Sequence, residues 1–250
     1  MIPQFLGSQP TDNRILAALD KSANQSFFSQ LQRVSLPQGE IIYEADDPIH
    51  YVYFPESAVF SMLASMEDGR TVEVGPVGKE GLVGLQITLG ALTTRDRVLV
   101  HIAGDALRVK PSLLKAELVG APTALSDNIT RYTGMLLGMT ARTCACNKLH
   151  SLEQQFARWL LTMSDYVGKE LRLTHELMGL TLGVRRAGVT VAASSLRTRG
   201  LIDYQRTVIQ IVDREGLKAV ACECYPIIKE MYDDLYADLS MKREALWHLK

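Results

Sequence analysis

The chain has 250 residues, 47% of them hydrophobic, and a formal net charge of −1. That composition is too apolar for an intrinsically disordered chain and leaves enough material for one large core or two ordinary ones. No run approaches the roughly twenty apolar residues that span a bilayer, and the start, MIPQFLGSQPTDNR, lacks the basic and apolar segments of an export signal, so a cytoplasmic protein with no membrane partner is expected.

The first predicted element is a helix from Asn13 to Phe28, with Ile15, Leu16, Leu19 and Phe27 apolar. From Val34 to about Val109 the text changes to short apolar or alternating runs, IIYE, YVYFP, AVFSMLAS, TVEVGPV, RVLVHIA and ALRVK, separated by turn signals such as EADDP and MEDGR. Short strands at about ten-residue spacing predict an all-β sandwich or barrel. No fixed repeat and no low-complexity segment interrupts them.

Alternation stops near Pro111. Between Pro122 and Leu149 the residues Leu125, Ile129, Tyr132, Leu136, Met139 and Thr143 recur at three- and four-residue steps, which predicts one helix of about seven turns. A narrow seam on so long a helix suits pairing with a second copy of the chain; packing along its own β domain is the other use of the same face. Leu152, Phe156, Trp159, Leu160 and Met163 then mark a second helix, capped by Ser151.

Residues 173–199, LTHELMGLTLGVRRAGVTVAASSLRTR, read as two short helices joined at Gly183, a helix-turn-helix. Thr174 caps the first helix. The second starts at Val184 or Arg185 and turns Val189, Ala192, Ala193 and Leu196 inward, leaving Arg185, Arg186, Gly188, Thr190, Ser194 and Arg197 on the other face. Behind it, Ile202 to Ile211 alternates around Gln205, Arg206 and Thr207 as a two-stranded wing. Between Arg185 and Arg214 six arginines face only Asp203 and Asp213, a local excess of four positive charges. That concentration points to DNA. A helix stopped near Pro226 and an acidic amphipathic tail complete the chain.

The four cysteines, Cys144, Cys146, Cys222 and Cys224, form two Cys-x-Cys pairs. Positions i and i+2 of a helix point about 200° apart, so neither pair makes a natural clamp, and all four are read as small packing residues with no metal assigned. A four-cysteine metal or redox site would need the two pairs to meet in space.

The order of β region, long helix and winged helix-turn-helix resembles the Crp/Fnr family of bacterial transcription regulators. LHSLEQQFARWLL, the helix-turn-helix with LIDY, and ACECY carry the resemblance most specifically, and PQGEIIYEADDP resembles a turn of the family's effector domain. The resemblance implies an α+β chain: an N-terminal double-stranded β-helix, or jelly roll, like that of cyclic-nucleotide-binding domains (1–120), a long dimerisation helix and hinge (121–149), a winged helix-turn-helix (150–225) and a helical tail (226–250). It implies double-stranded DNA and a second copy of the chain as partners, with RNA polymerase a candidate third. Two recognition helices would then lie about 34 Å apart on a palindromic site.

The family's usual base readers are an arginine, a glutamate and a later arginine, where this chain has Arg186, Ala187 and Val191. Arg186 is carried over, Arg185, Gly188, Thr190 and Ser194 join it from helical geometry, and Thr174, His175, Arg197, Arg206 and Thr207 are assigned to phosphates. The resemblance places an effector pocket at Gly84, Leu85, Gln86, Arg97 and Val98. Leu85 stands where cyclic-nucleotide-binding members hold the ribose with glutamate, and an unpaired buried hydroxyl costs about 1–3 kcal/mol, so cyclic AMP is not expected. The N-terminal cysteines of iron–sulfur members are missing, His50 and His101 are isolated, and no cofactor is assigned.

Two other readings use the same residues. A nucleotide-binding module acting on a partner protein needs a pocket that Leu85 and Val98 oppose. A metal-dependent β-roll enzyme needs clustered histidines, whereas His50, His101, His150, His175 and His248 are scattered, and no nucleophile has an evident base. Catalysis is therefore not expected.

Overall fold

The computed structural model describes residues 4–5, 11–120, 123–205 and 207–235. Arg206, Pro122 and the tail from 236 onward lie outside the described residues. The first predicted helix is two short ones, α1 (Arg14–Ala17) and α2 (Gln25–Phe28). Asp20 breaks the run: its carboxylate accepts from the Ser22 N–H at 2.9 Å, and its carbonyl accepts from the Asn24 side chain at 2.7 Å. Such local bonds compete with a helical ladder.

Two four-stranded antiparallel sheets follow. One has the order β1 (Gln4–Phe5), β2 (Gln32–Leu36), β8 (Gly104–Val109), β4 (Val52–Pro55); the other runs β3 (Ile41–Tyr43), β7 (Arg97–Ile102), β5 (Val59–Ser65), β6 (Thr71–Val77). Phe54 and Leu107 from the first and Phe60 and Val100 from the second are fully buried in one shared core, the jelly-roll arrangement that the spacing of short strands predicts. Strand β2, QRVSL, is absent from the predicted runs because only Leu36 of it is fully buried.

Helix α3 (Pro111–Leu118) starts with proline, whose missing N–H is unneeded in a first turn, and leads to α4 (Ala124–Leu149). Thr123 and Ser126 close a capping box at its start. The predicted seam of α4 turns toward the chain's own β domain. Leu125, Ile129, Tyr132, Met139 and Thr143 are buried there, and Leu136 packs on the same core. Gly75 and Gly81 make room for this docking: a Cβ on Gly81 would fall inside the Tyr132 ring. As dimer contacts the five buried residues are therefore corrected, because a side chain buried within its own protomer has no surface left to offer a second; Leu136 is half-buried against the same core.

Helix α5 (Leu152–Val167) has the Ser151 cap, again in a capping box. It buries Phe156, Trp159, Leu160 and Met163 in a second core with residues of the helix-turn-helix. Strand β9 (Glu170–Arg172), missed in the sequence because its three residues carry one apolar side chain, adds a third strand to the wing formed by β10 (Ile202–Gln205) and β11 (Val208–Ile211). Helix α8 (Arg214–Val220) leads to α9 (Cys224–Leu235). Pro226 does not stop a helix here; it sits in the first turn of α9, where a proline is tolerated. Ile228 and Leu235 of α9 are buried in the first core, beside α4, so the described part of the tail is packed structure.

The two cores are joined by a buried polar chain. Trp159 Nε1 of α5 donates to Glu73 Oε1 of β6 at 3.1 Å, Ser61 of β5 donates to the other carboxylate oxygen, and His101 Nδ1 of β7 lies 2.9 Å from the same Ser61 hydroxyl. Burial pushes Glu73 up to about 7 and His101 down to about 3. His101 is therefore neutral and Glu73 is about half protonated near neutrality, since burial disfavours the charged form of each. His101 is a core residue, and His50 is exposed. No helix among the described residues is long and apolar enough to cross a membrane.

Candidate nucleic-acid interface

The helix-turn-helix is built from local rules. Thr174 accepts from the Leu177 N–H at 3.1 Å and so caps α6 (His175–Leu182), one of whose first N–H groups would otherwise lack a partner. Gly183 ends α6 in the left-handed region, φ 65°, which costs a residue with a Cβ far more than glycine. Helix α7 (Arg186–Thr198) then begins after Arg185, which is extended and occupies the cap position without a side-chain cap bond. Val189, Ala192, Ala193 and Leu196 bury its inner face, as the spacing predicts.

Its outer face carries Arg185, Arg186, Ala187, Thr190, Val191, Ser194 and Arg197, all exposed. Arg185 and Arg186 form no ion pair among the described residues. The other arginines differ. Arg197 Nε lies 3.2 Å from Asp203 Oδ1, Arg199 pairs with Glu153 at 2.9 Å, and Arg214 is tied to Asp165 at 2.5 Å and to the Tyr225 hydroxyl at 2.7 Å. The charge excess counted along the sequence thus narrows to the start of α7, because folding gives the other three described arginines carboxylate partners.

Three assigned residues take other roles. Gly188 is half-buried, and a Cβ there would stand 3.2 Å from Leu152 Cδ2, so this glycine lets α7 pack closely on α5. His175 stacks on Tyr204 with ring centroids 4.6 Å apart, and its Nδ1 lies 3.2 Å from the Thr190 hydroxyl. Burial, with the Arg186 charge, lowers its pKa, so the ring is a neutral buttress under α7 and brings no positive charge to a phosphate. The Thr190 hydroxyl also donates to the Arg186 carbonyl at 3.0 Å. Sequence reasoning left Ala187 and Val191 out of the reading set, yet Val191 is 71% exposed at the centre of the outer face. Helical spacing alone would have included it, one turn from Ala187. Thr174 and Thr207 are exposed, the former with its hydroxyl engaged in the cap.

Residues 154–220 match the family model of the Crp-like helix-turn-helix domain. The chain carries a Crp-like helix-turn-helix domain. Solved structures extend the likeness to the whole fold. A Crp/Fnr-family regulator from Eubacterium rectale superposes with a TM-score of 0.67 at 16% identity, covering 83% of this chain and 97% of its own. FixK2 from Bradyrhizobium japonicum gives 0.66 at 21% identity, with 77% and 98% covered. The c-di-GMP-responsive regulator CLP from Xanthomonas campestris gives 0.62 at 17%, with 77% and 99% covered. A search of curated proteins by sequence finds no match. The chain thus carries a Crp-like helix-turn-helix domain and shares its overall fold with solved Crp/Fnr-family regulators.

The expected effector pocket is small. Gly84, Leu85, Gln86 and Val98, with Met62 and Leu136, line an apolar cavity of about 80 Å³. Ligand sites usually enclose roughly 300–1,000 Å³. Arg97 does not line it: its Nε is held 2.7 Å from Glu44 Oε2, so no cation faces the cavity to meet a phosphate. The cysteines also depart from the expectation. Cys144 is exposed, but Cys146, Cys222 and Cys224 are buried and meet His150, a residue the sequence reading left aside.

Proposed function

We propose that the chain is a homodimeric regulator that reads DNA with α7 in the major groove, with Arg185 and Arg186 contacting base edges. The observation that carries this is the outer face of α7: two adjacent arginines without carboxylate partners among the described residues, then small or apolar side chains at Ala187, Thr190, Val191 and Ser194. A groove about 12 Å wide accepts such a helix, arginine forks pair with guanine, and the methyl groups of Ala187 and Val191 suit thymine. Thr174, Thr207 and Arg197 flank this face and are assigned to phosphates.

The dimer contact of this proposal lies on the far side of α4 from the buried face. Thr130, Gly134, Leu137, Ala141 and Cys144 are all exposed and recur at alternating steps of four and three, the period of a two-helix seam. Leu137 is 68% exposed, and a Cβ on Gly134 would touch nothing within 4 Å. Pairing along this face sets the spacing of two α7 helices, and the β domain serves as a scaffold for α4, with no nucleotide in the 80 Å³ cavity.

Polarisation titrations against promoter fragments at several salt concentrations test the proposal. Sequence-selective, salt-sensitive binding is expected, and Arg186→Ala should lose about 1–3 kcal/mol and relax preference at one base pair. Binding that is indifferent to sequence, or an Arg186→Ala protein that keeps the wild-type preference, refutes it.

A further inference from the structure

One cluster of side chains remains unused by DNA reading. Cys146 and His150, four residues apart, project from the same side at the end of α4. Cys222 and Cys224 lie where α8 gives way to α9, and there the chain is irregular enough for both thiols to face inward. The three sulfurs and one ring nitrogen all lie within 4.8 Å of one another, with Cys146 Sγ 3.5 Å from Cys222 Sγ and Cys224 Sγ 3.7 Å from His150 Nδ1. Metal–sulfur bonds of about 2.3 Å in a tetrahedron put neighbouring ligands about 3.8 Å apart. The cluster has that spacing.

We propose that Cys146, His150, Cys222 and Cys224 bind one zinc ion in a closed, structural site. Thiolates and imidazole are the donors zinc takes in such sites, and four protein ligands leave no open position for catalysis. A cluster of several irons would spread its four outer ligands wider than the 4.8 Å within which all of these atoms lie. His150 is already oriented for the task. Its Nε2 lies 3.1 Å from Glu223 Oε2, which places the proton on Nε2 and directs the Nδ1 lone pair at the sulfurs. Binding releases the thiol protons to solvent and leaves an ion with three thiolates, a net charge of −1. The buried Arg158, beside Cys146, offsets that charge, and its Nε has no hydrogen-bond partner among the described residues.

The site's place in the chain gives it a role. All of α5 to α8 lies between its two ligand pairs, so the ion ties the entry of the helix-turn-helix domain to its exit, and both to the end of α4. Zinc would hold the recognition helices at a set angle to α4 and add its binding energy to folding.

The test uses the full chain, purified reduced and without chelator, with zinc per chain measured by elemental analysis. One zinc per chain is expected. After stripping and reloading with Co2+, the visible bands of tetrahedral cobalt and a near-ultraviolet thiolate-to-cobalt band should appear. They should survive in Cys144→Ser, whose thiol points away, and in His150→Cys, and be lost or altered in Cys222→Ser and Cys224→Ser. Circular dichroism of each variant checks that it is folded. Folded, reduced protein that takes up neither zinc nor cobalt overturns the proposal. So do iron with acid-labile sulfide in the purified protein, and cobalt spectra indifferent to Cys222→Ser and Cys224→Ser. The readout is the metal, so failure here leaves the DNA reading standing.

Discussion

Replacing Leu137 with alanine separates the two faces of α4. Leu137 is 68% exposed in the single chain, whereas Ile129, on the buried face, is 4% exposed. Fully burying a leucine side chain is worth about 1.5–3 kcal/mol, so covering the exposed two-thirds of Leu137 contributes roughly 1–2 kcal/mol per protomer. Both copies meet in a symmetric dimer, so the change should cost about 2–4 kcal/mol and raise the dissociation constant roughly 30- to several-hundred-fold. Ile129→Ala should instead cost about 2–5 kcal/mol of folding stability through the cavity it leaves, with little change in dimer affinity for the folded fraction. Sedimentation velocity over a concentration series gives the dissociation constants, and urea denaturation gives the stabilities. A Leu137→Ala protein with the wild-type dissociation constant would refute the placement of the seam. So would an Ile129→Ala protein that is stable but monomeric.

The interdomain carboxyl makes a pH prediction. Burial raises Glu73 from 4.5 to about 7 in the folded chain, so between those values the native state binds the proton more tightly than the unfolded one. Stability from this group is therefore lost as pH rises through that window, by an amount on the order of 3 kcal/mol. Glu73→Gln should remove that slope, seen as a gap between the urea-denaturation curves of the two proteins that changes from pH 4.5 to 7; parallel profiles would show that Glu73 does not titrate there. At Gly81, an added methyl enters the space of the Tyr132 ring, so Gly81→Ala should destabilise the junction of α4 and the β domain by about 1–3 kcal/mol. A thermal unfolding midpoint equal to that of the wild type would mean that the ring moves aside freely.

Much of the DNA-reading half was legible in the sequence because its rules are local. Thr174 as a cap, Gly183 at a left-handed turn and the three- and four-residue recurrence of Val189, Ala192, Ala193 and Leu196 each depend on residues within two turns of one another. The alternating strands likewise announced an all-β half, although β2 and β9 carry too few buried apolar residues to show.

Tertiary structure decided what each face meets. Periodicity marked the Leu125 to Thr143 face of α4 as apolar, but an apolar face says nothing of its partner, and the glycines at 75 and 81 that admit Met139 and Tyr132 lie far away along the chain. Charge behaved in the same way. Six arginines counted along the sequence left two without carboxylates among those described, since Glu153, Asp165 and Asp203 reach the others only after folding. The four-ligand cluster was illegible for a related reason. A helix turns Cys144 and Cys146 apart, so neither Cys-x-Cys pair looks like a clamp, and the site forms only when α4 and α9 pack and bring His150 and Cys146 to the thiols at 222 and 224. Short-range periodicity and capping are written in neighbouring residues; which surfaces meet depends on shape and burial across the whole chain.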